Sequence, residues 1–242
     1  RTVLTRSKVT AIQALYRLRS ARQRLVIKLP PDVTFDSRPL RINGKAVSLE
    51  EGDTGEFYIP LTGQNPKQAF LLDLQYSVQN ADKTIRPPIF PNEPAAQKIY
   101  MSVYYPREWA YLTFRGPWHN AFRWKLKGFT AWPYPSRSEG ELLSWVVEDT
   151  PVRQDALSEF PTAGLRVVFS TLRPPADDSG TLTFFSTPRT WVNLVVFALG
   201  IAVAVLLLPA HARLRLLVVG LVIIAALALG VFCRPLTTAM IT

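Results

Sequence analysis

Two histidines, one cysteine and several paired acids are the residues through which this 242-residue chain could carry out proton transfer, nucleophilic attack or metal binding. Acid–base and covalent catalysis need a tuned base within hydrogen-bond reach of a nucleophile. His119 lies in the turn-like stretch Gly116–Pro117–Trp118–His119–Asn120, and His211 lies in a short basic link near the C-terminus. Cys233 ends an apolar run just before Arg234, where packing is its ordinary role, and a single Cys excludes an intrachain disulfide. Ser-His-Asp, Cys-His, HExxH, Walker A and EF-hand patterns are absent. Acids cluster at Glu50, Glu51, Asp53 and Glu56, at Glu139 and Glu141, at Glu148 and Asp149, and at Asp177 and Asp178. Paired carboxylates can serve glycoside hydrolysis or bind calcium. Each cluster adjoins Gly, Ser, Thr or Pro, so solvated turns account for them. The sequence assigns no catalytic residue, no metal ligand and no cofactor.

Aromatic side chains are the stronger candidates for binding. Eleven of the 31 residues from Tyr104 to Tyr134 are aromatic, and four of the six tryptophans fall there. A β-core with cross-strand pairs uses such rings internally. Exposed, they would stack on sugars or anchor a protein interface, with Trp118, Trp124 and Trp132 as the contacts. Arg115, Arg123, Lys125 and Lys127 interleave with them. That pattern is compatible with single-stranded nucleic acid, but an extracytoplasmic location would exclude such a partner.

The elements that must position these residues begin with two apolar runs. Residues 191–209 and 216–233 carry no charge and are joined by a link containing Arg213 and Arg215. Helices of that length span ~27–29 Å, close to a ~30 Å hydrocarbon core. They predict a transmembrane hairpin over residues 189–234, followed by a C-terminal tail at 235–242. Trp191 is placed for the headgroup level, and basic short loops stay inside, which favours a cytoplasmic link. Small residues four apart (Ala198 with Ala202, Gly200 with Ala204, Ala226 with Gly230) allow helices to approach closely in lipid.

The formal net charge of +10 is uneven. Residues 1–29 hold eight basic residues and no acid, whereas residues 30–190 are nearly neutral. A basic segment beside a membrane tail points to anionic lipid or an acidic protein. The first thirty residues do not form a cleavable signal. The chain opens on Arg rather than Met, which leads us to expect that residues precede it, with an export signal or a further span among them.

Residues 30–188 read as the folded extramembrane domain. Apolar residues alternate at Leu25–Leu29, Phe70–Tyr76, Ile99–Tyr105 and Leu165–Phe169, giving one buried stripe per strand. Asn43–Gly44 marks a type I′ hairpin. Residues 9–23 fit a helix or a strand, and we favour the strand. Twenty prolines leave room for few long helices. Eight to ten short strands predict a mainly β fold, an antiparallel β-sandwich, with the Pro-rich stretch 83–96 as one long loop or a boundary between two subdomains. The LPPDV, PLRINGKAVSL and YIPL segments have a cadence that resembles many bacterial envelope β-domains, and it implies no activity. The expected protein is therefore a non-enzymatic scaffold or accessory subunit in a bacterial inner membrane, its β-domain on the extracytoplasmic side. Its partners would be lipid and a membrane protein or further copies of itself. A module binding envelope polysaccharide is the alternative, and a hydrolase with an unfamiliar carboxylate site a third.

Overall fold

The computed structural model describes residues 1–207 apart from 36, 53–54, 80–82, 92–97, 128–129, 155–156 and 173–179. The chain first forms β1 (Thr2–Leu4), β2 (Thr10–Leu18), β3 (Arg24–Lys28), β4 (Val33–Thr34), β5 (Leu40–Ile42), β6 (Lys45–Val47), β7 (Glu50–Glu51), β8 (Glu56–Pro60), β9 (Phe70–Val78) and β10 (Thr84–Ile85). It continues through β11 (Lys98–Tyr105), β12 (Trp109–Arg115), β13 (His119–Asn120), β14 (Phe122–Lys127), β15 (Thr130–Pro135), α1 (Glu139–Val147), β16 (Leu165–Leu172), β17 (Leu182–Pro188) and α2 (Arg189–Leu207). The fold is mainly β, as the alternation predicts. The strands outnumber the expected eight to ten because several are two- or three-residue pairings at turns.

Two compact units interleave in the sequence: one of Arg1–Pro106, Arg115–Phe122 and Pro135–Thr183, the other of Arg107–Phe114, Arg123–Tyr134 and Phe184–Thr242. In the first, a large sheet has the order β13-β16-β11-β1-β2-β9-β5-β6, with β4 also on β9. Its longest pairings are antiparallel: Thr10↔Val78 through Leu18↔Phe70, and Lys98↔Leu172 through Tyr105↔Leu165. One pairing departs from the expected antiparallel pattern. Three-residue β1 runs parallel to β11, with Thr2 opposite Val103. The Asn43–Gly44 turn joins β5 to β6 with φ of 50° and 79°, the positive pair that a type I′ hairpin requires.

β9 is buried on both faces. Phe70, Leu72, Leu74 and Tyr76 fill one side, and Leu71 and Asp73 lie on the other. On the second side α1 packs through Val146 against Leu71 and Leu15, together with Val152. This helix stands where the sequence suggested acidic turns. Ser138 and Glu141 form a capping box: the Ser138 hydroxyl accepts from the Glu141 N–H at 3.1 Å, and the Glu141 carboxylate accepts from the Ser138 N–H at 2.8 Å. Two otherwise unpaired donors of the first turn are satisfied at once. A smaller sheet, β3-β8-β7, buries Leu25, Ile27 and Ile59. Residues 89–90 link both sheets: Ile89 bridges Lys28 of β3, and the Phe90 ring meets Tyr16 of β2 edge-on at 5.0 Å.

In the second unit β12 pairs with β17, and Tyr111 stacks on Phe184 at 5.2 Å. β14 and β15 form a hairpin. β17 passes directly into α2, whose first residue is held by two bonds: the Arg189 N–H donates to the Glu108 carbonyl at 2.9 Å and its Nε to that of Trp109 at 3.4 Å. Among the described residues no helix is long and apolar enough to cross a membrane. α2 is described as far as Leu207, with the side chains of 193, 196, 203, 204, 206 and 207 outside the description. The second expected span (216–233), the link with Arg213 and Arg215, Ala226, Gly230 and the tail at 235–242 lie outside the described residues.

Candidate functional site

The residues considered for chemistry do not converge. His119 is exposed on β13 opposite Ser170. Glu139 and Glu141 belong to the first turn of α1, and Glu148 is its C-cap. Asp53, Asp177 and Asp178 lie outside the described residues. Among the described residues no group of three or more His, Cys, Asp or Glu could hold a metal ion.

One acid behaves differently from all of these. Asp73 of β9 is 4% exposed, the only acid buried among the described residues. Its carboxylate accepts from Gln13 Nε2 at 3.0 Å and from the Ser158 hydroxyl. The Ser158 oxygen in turn accepts from Gln13 Nε2 at 3.1 Å and from Gln75 Nε2 at 2.5 Å. A serine beside a carboxylate invites comparison with a hydrolase, but the network runs the other way. Donors saturate the hydroxyl oxygen, and no second buried acid stands among the described residues to share the work. The cluster fastens Ser158 and its neighbours to the sheet. Sequence alternation put Leu71, Asp73, Gln75 and Ser77 on one face without revealing that α1 and its following segment cover it.

The aromatic candidates separate as well. Trp118 is buried, and its indole N–H donates to the Gly180 carbonyl at 3.1 Å, leaving no free ring face for a sugar. Gly116 makes that approach possible: a Cβ there would lie 2.2 Å from the Thr181 carbonyl oxygen. Tyr104, Tyr105, Tyr111 and Phe122 are buried too, while Tyr134 is exposed. The side chains of Trp124 and Trp132 lie outside the described residues. In α2, Trp191 is 63% exposed, and Ala198, Gly200 and Ala202 are exposed, whereas the side chain of Ala204 is outside the description.

One feature of the first unit, a cationic cavity, was not anticipated. A cavity of about 760 Å³ is lined by Leu15–Arg19 of β2 and its end, Lys98–Tyr100 of β11, Ser102, Arg166 and one side of α1. Its charge is lopsided, with Arg1, Arg17, Arg19, Lys98 and Arg166 against Glu139 and Asp149. Arg1 pairs with Glu139 at 3.4 Å and Arg17 with Glu148 at 3.5 Å. Arg166 donates from Nη2 to the Ser102 hydroxyl at 3.1 Å. Two further cations sit on the Tyr100 ring, Lys98 at 5.0 Å and Arg137 at 5.6 Å. Trp145 of α1 closes one face: its ring meets Tyr100 edge-on at 5.3 Å and carries the Arg17 guanidinium at 5.6 Å. The negative faces of the rings help to hold these cations in place.

No protein-family model matches this chain, and no curated protein matches it.

Proposed function

We propose that the chain is a membrane-anchored β-sandwich, a non-enzymatic scaffold or accessory subunit of a membrane-protein assembly. The observation that carries this reading is the surface of α2. Trp191, Leu194, Val195, Phe197, Leu199, Ile201 and Val205 are each 49% exposed or more. At ~100° per residue these positions cover more than half of the helix circumference. A soluble surface helix confines its apolar residues to one stripe, and an exposed apolar patch of this kind calls for lipid or another protein. In the sequence, the uncharged run that begins after Arg189 continues to Pro209, and a second run follows from 216 to 233.

The double burial of β9, and the Ile89–Phe90 link between two sheets, support the sandwich. The bonds of Arg189 to Glu108 and Trp109 support a domain held close to the bilayer. The reading places the β-domain on the extracytoplasmic side of a bacterial inner membrane, in contact with lipid and either a membrane protein or further copies of the chain. The polysaccharide alternative is weakened by the burial of Trp118. The hydrolase alternative lacks a second buried carboxylate among the described residues.

The test is extraction. The chain should stay in the membrane pellet after a high-pH carbonate wash, and release into the supernatant would sink the reading. For orientation, Ala212→Cys in a Cys233→Ala background should be shielded from an impermeant thiol reagent in intact cells, and Asp178→Cys labelled. The opposite pattern would invert the topology. Replacing Ala226 and Gly230 with Leu should weaken copurification of the membrane partner while leaving the β-domain folded.

A further inference from the structure

The two compact units differ in charge. The first holds 20 basic residues against 17 acids, close to balance. In the second, Arg107–Phe114, Arg123–Tyr134 and residues 184–190 hold Arg107, Arg123, Lys125, Lys127 and Arg189 against Glu108 alone. The eight basic residues of 1–29 belong to the unit that does not carry α2. The uncompensated charge travels with the helix.

A main-chain contact sets the level of this charge. The Arg189 N–H donates to the Glu108 carbonyl at 2.9 Å, so the turn between β11 and β12 abuts the first residue of α2. Arg107, exposed in that turn, is one residue from the contact. Trp191, 63% exposed, stands two residues into the helix, ~3 Å further along its axis. A headgroup layer is about 5–7 Å deep on each side of the hydrocarbon. A helix that enters lipid at Trp191 therefore holds the Arg107–Glu108 turn within that layer.

Exposed rings accompany the cations. Tyr134 and Phe185 are 56% and 40% exposed, and both belong to the second unit. Phe184 is buried against Tyr111, so its neighbour Phe185 lies on the outer face of β17. Aromatic residues mixed with cations are the composition of a membrane interface. β14 contributes Arg123, Lys125 and Lys127 at alternate positions, the first of them exposed. Among the described residues β14 pairs only with β15. A two-stranded ribbon is marginal in water without a surface to pack against.

We propose that the second unit is a collar for anionic phospholipid: its cations bind the headgroup phosphates of the leaflet that α2 enters, and its exposed rings seat among those headgroups. The proposal rests on the membrane reading and adds a lipid class to it. Lipid is favoured over an acidic protein because the cations begin at the helix entry and are mixed with exposed rings. Each Lys or Arg near an anionic surface strengthens the attraction about fivefold. The attraction decays over a Debye length of ~8–10 Å, so it acts on headgroups beside the collar and weakens with salt.

The test uses the full chain reconstituted into bilayers, with spin-labelled phosphatidylglycerol or spin-labelled phosphatidylcholine as the probe. The fraction of each probe immobilised by the protein gives their relative affinity. Phosphatidylglycerol should be preferred by at least about threefold at low salt, and the preference should shrink as salt rises. Arg107→Gln combined with Arg123→Gln, Lys125→Gln and Lys127→Gln should remove at least about half of the preference. Arg19→Gln with Lys28→Gln, at exposed cations of the first unit, should leave it intact. Should the fourfold variant lose its β signal in circular dichroism, Arg107→Gln alone and the salt dependence of the native chain decide the matter. Equal immobilisation of the two probes would overturn the proposal and leave the membrane reading standing, whereas no immobilised lipid of either kind would overturn both. A preference that survives the fourfold variant, even one accompanied by loss of a copurifying acidic protein, would also overturn it. So would a preference that is insensitive to salt or is lost in the first-unit variant.

Discussion

β9 and α2 are both rich in large apolar residues, and they meet their surroundings in opposite ways. β9 hides Phe70, Leu71, Leu72 and Leu74 at 2% exposure or less, sheltered by neighbouring strands and by α1 on one face. α2 presents Phe197 at 71% exposure and Leu199 at 59%. Hydrophobic content alone does not distinguish the two. Length and charge spacing do. β9 reaches Val78 after nine residues and includes Asp73, whereas the α2 run continues without charge from Thr190 to Pro209. The first pattern suits a core that supplies its own cover, and the second suits a helix whose cover is another medium.

Paired truncations break this comparison most sharply. Phe169→Ala removes a fully buried ring and should cost about 3–5 kcal/mol of β-domain stability in denaturant titration. Phe197→Ala should change it by less than about 0.5 kcal/mol. Equal losses would mean that α2 is part of the same core.

A second substitution asks what the buried acid does. Asp73→Ala deprives Gln13 and Ser158 of their acceptor, and a buried donor left unpaired costs about 1–3 kcal/mol. Unchanged stability would show that the network does not hold the segment around Ser158. The N-terminus of α1 offers a smaller effect. Ser138→Ala removes one half of the capping box and should cost about 1 kcal/mol, with local hydrogen exchange rising in the first turn of α1.

The smallest effect concerns Tyr76, whose hydroxyl is buried and has no hydrogen-bond partner among the described residues. Burial, reinforced by nearby Tyr16, holds its pKa well above the ordinary 10. The folded state therefore keeps this proton where the unfolded chain loses it. The stability it contributes is complete below pH 10 and falls as pH rises beyond that value. Tyr76→Phe should leave neutral-pH stability unchanged or raise it by up to about 1 kcal/mol. It should also reduce the loss of stability above pH 10. A variant with the wild-type alkaline profile would contradict this.

Much of the β architecture is legible in the chain. Period-two runs mark β3, β9, β11 and β16, residues 9–23 fit a helix as well as the strand β2, and Asn43–Gly44 marks the turn between β5 and β6. The helix α1 escaped because the acids Glu139 and Glu141, beside Ser138 and Gly140, suggested a solvated turn, although Ser138 and Glu141 stand three apart before the mostly apolar run Leu142–Val147. That spacing is a capping box in plain sight. The parallel placement of β1 was not legible, because nothing local records that Thr2 will meet Val103. For the same reason the cationic cavity could not be foreseen, because its cations (Arg17, Lys98 and Arg166) are scattered through the sequence. The burial of Trp118 likewise depends on Gly180, 62 residues away.

The claim that separates α2 from β9 is that its apolar surface is covered by lipid. A nitroxide attached at Leu199→Cys, in a Cys233→Ala chain reconstituted into bilayers, tests it directly against one at Lys45→Cys on the edge strand β6. Membrane-dissolved oxygen should relax the Leu199 label more strongly than a water-soluble nickel chelate does, and the Lys45 label should show the reverse order. A Leu199 label relaxed by the chelate as strongly as the Lys45 label would contradict the account.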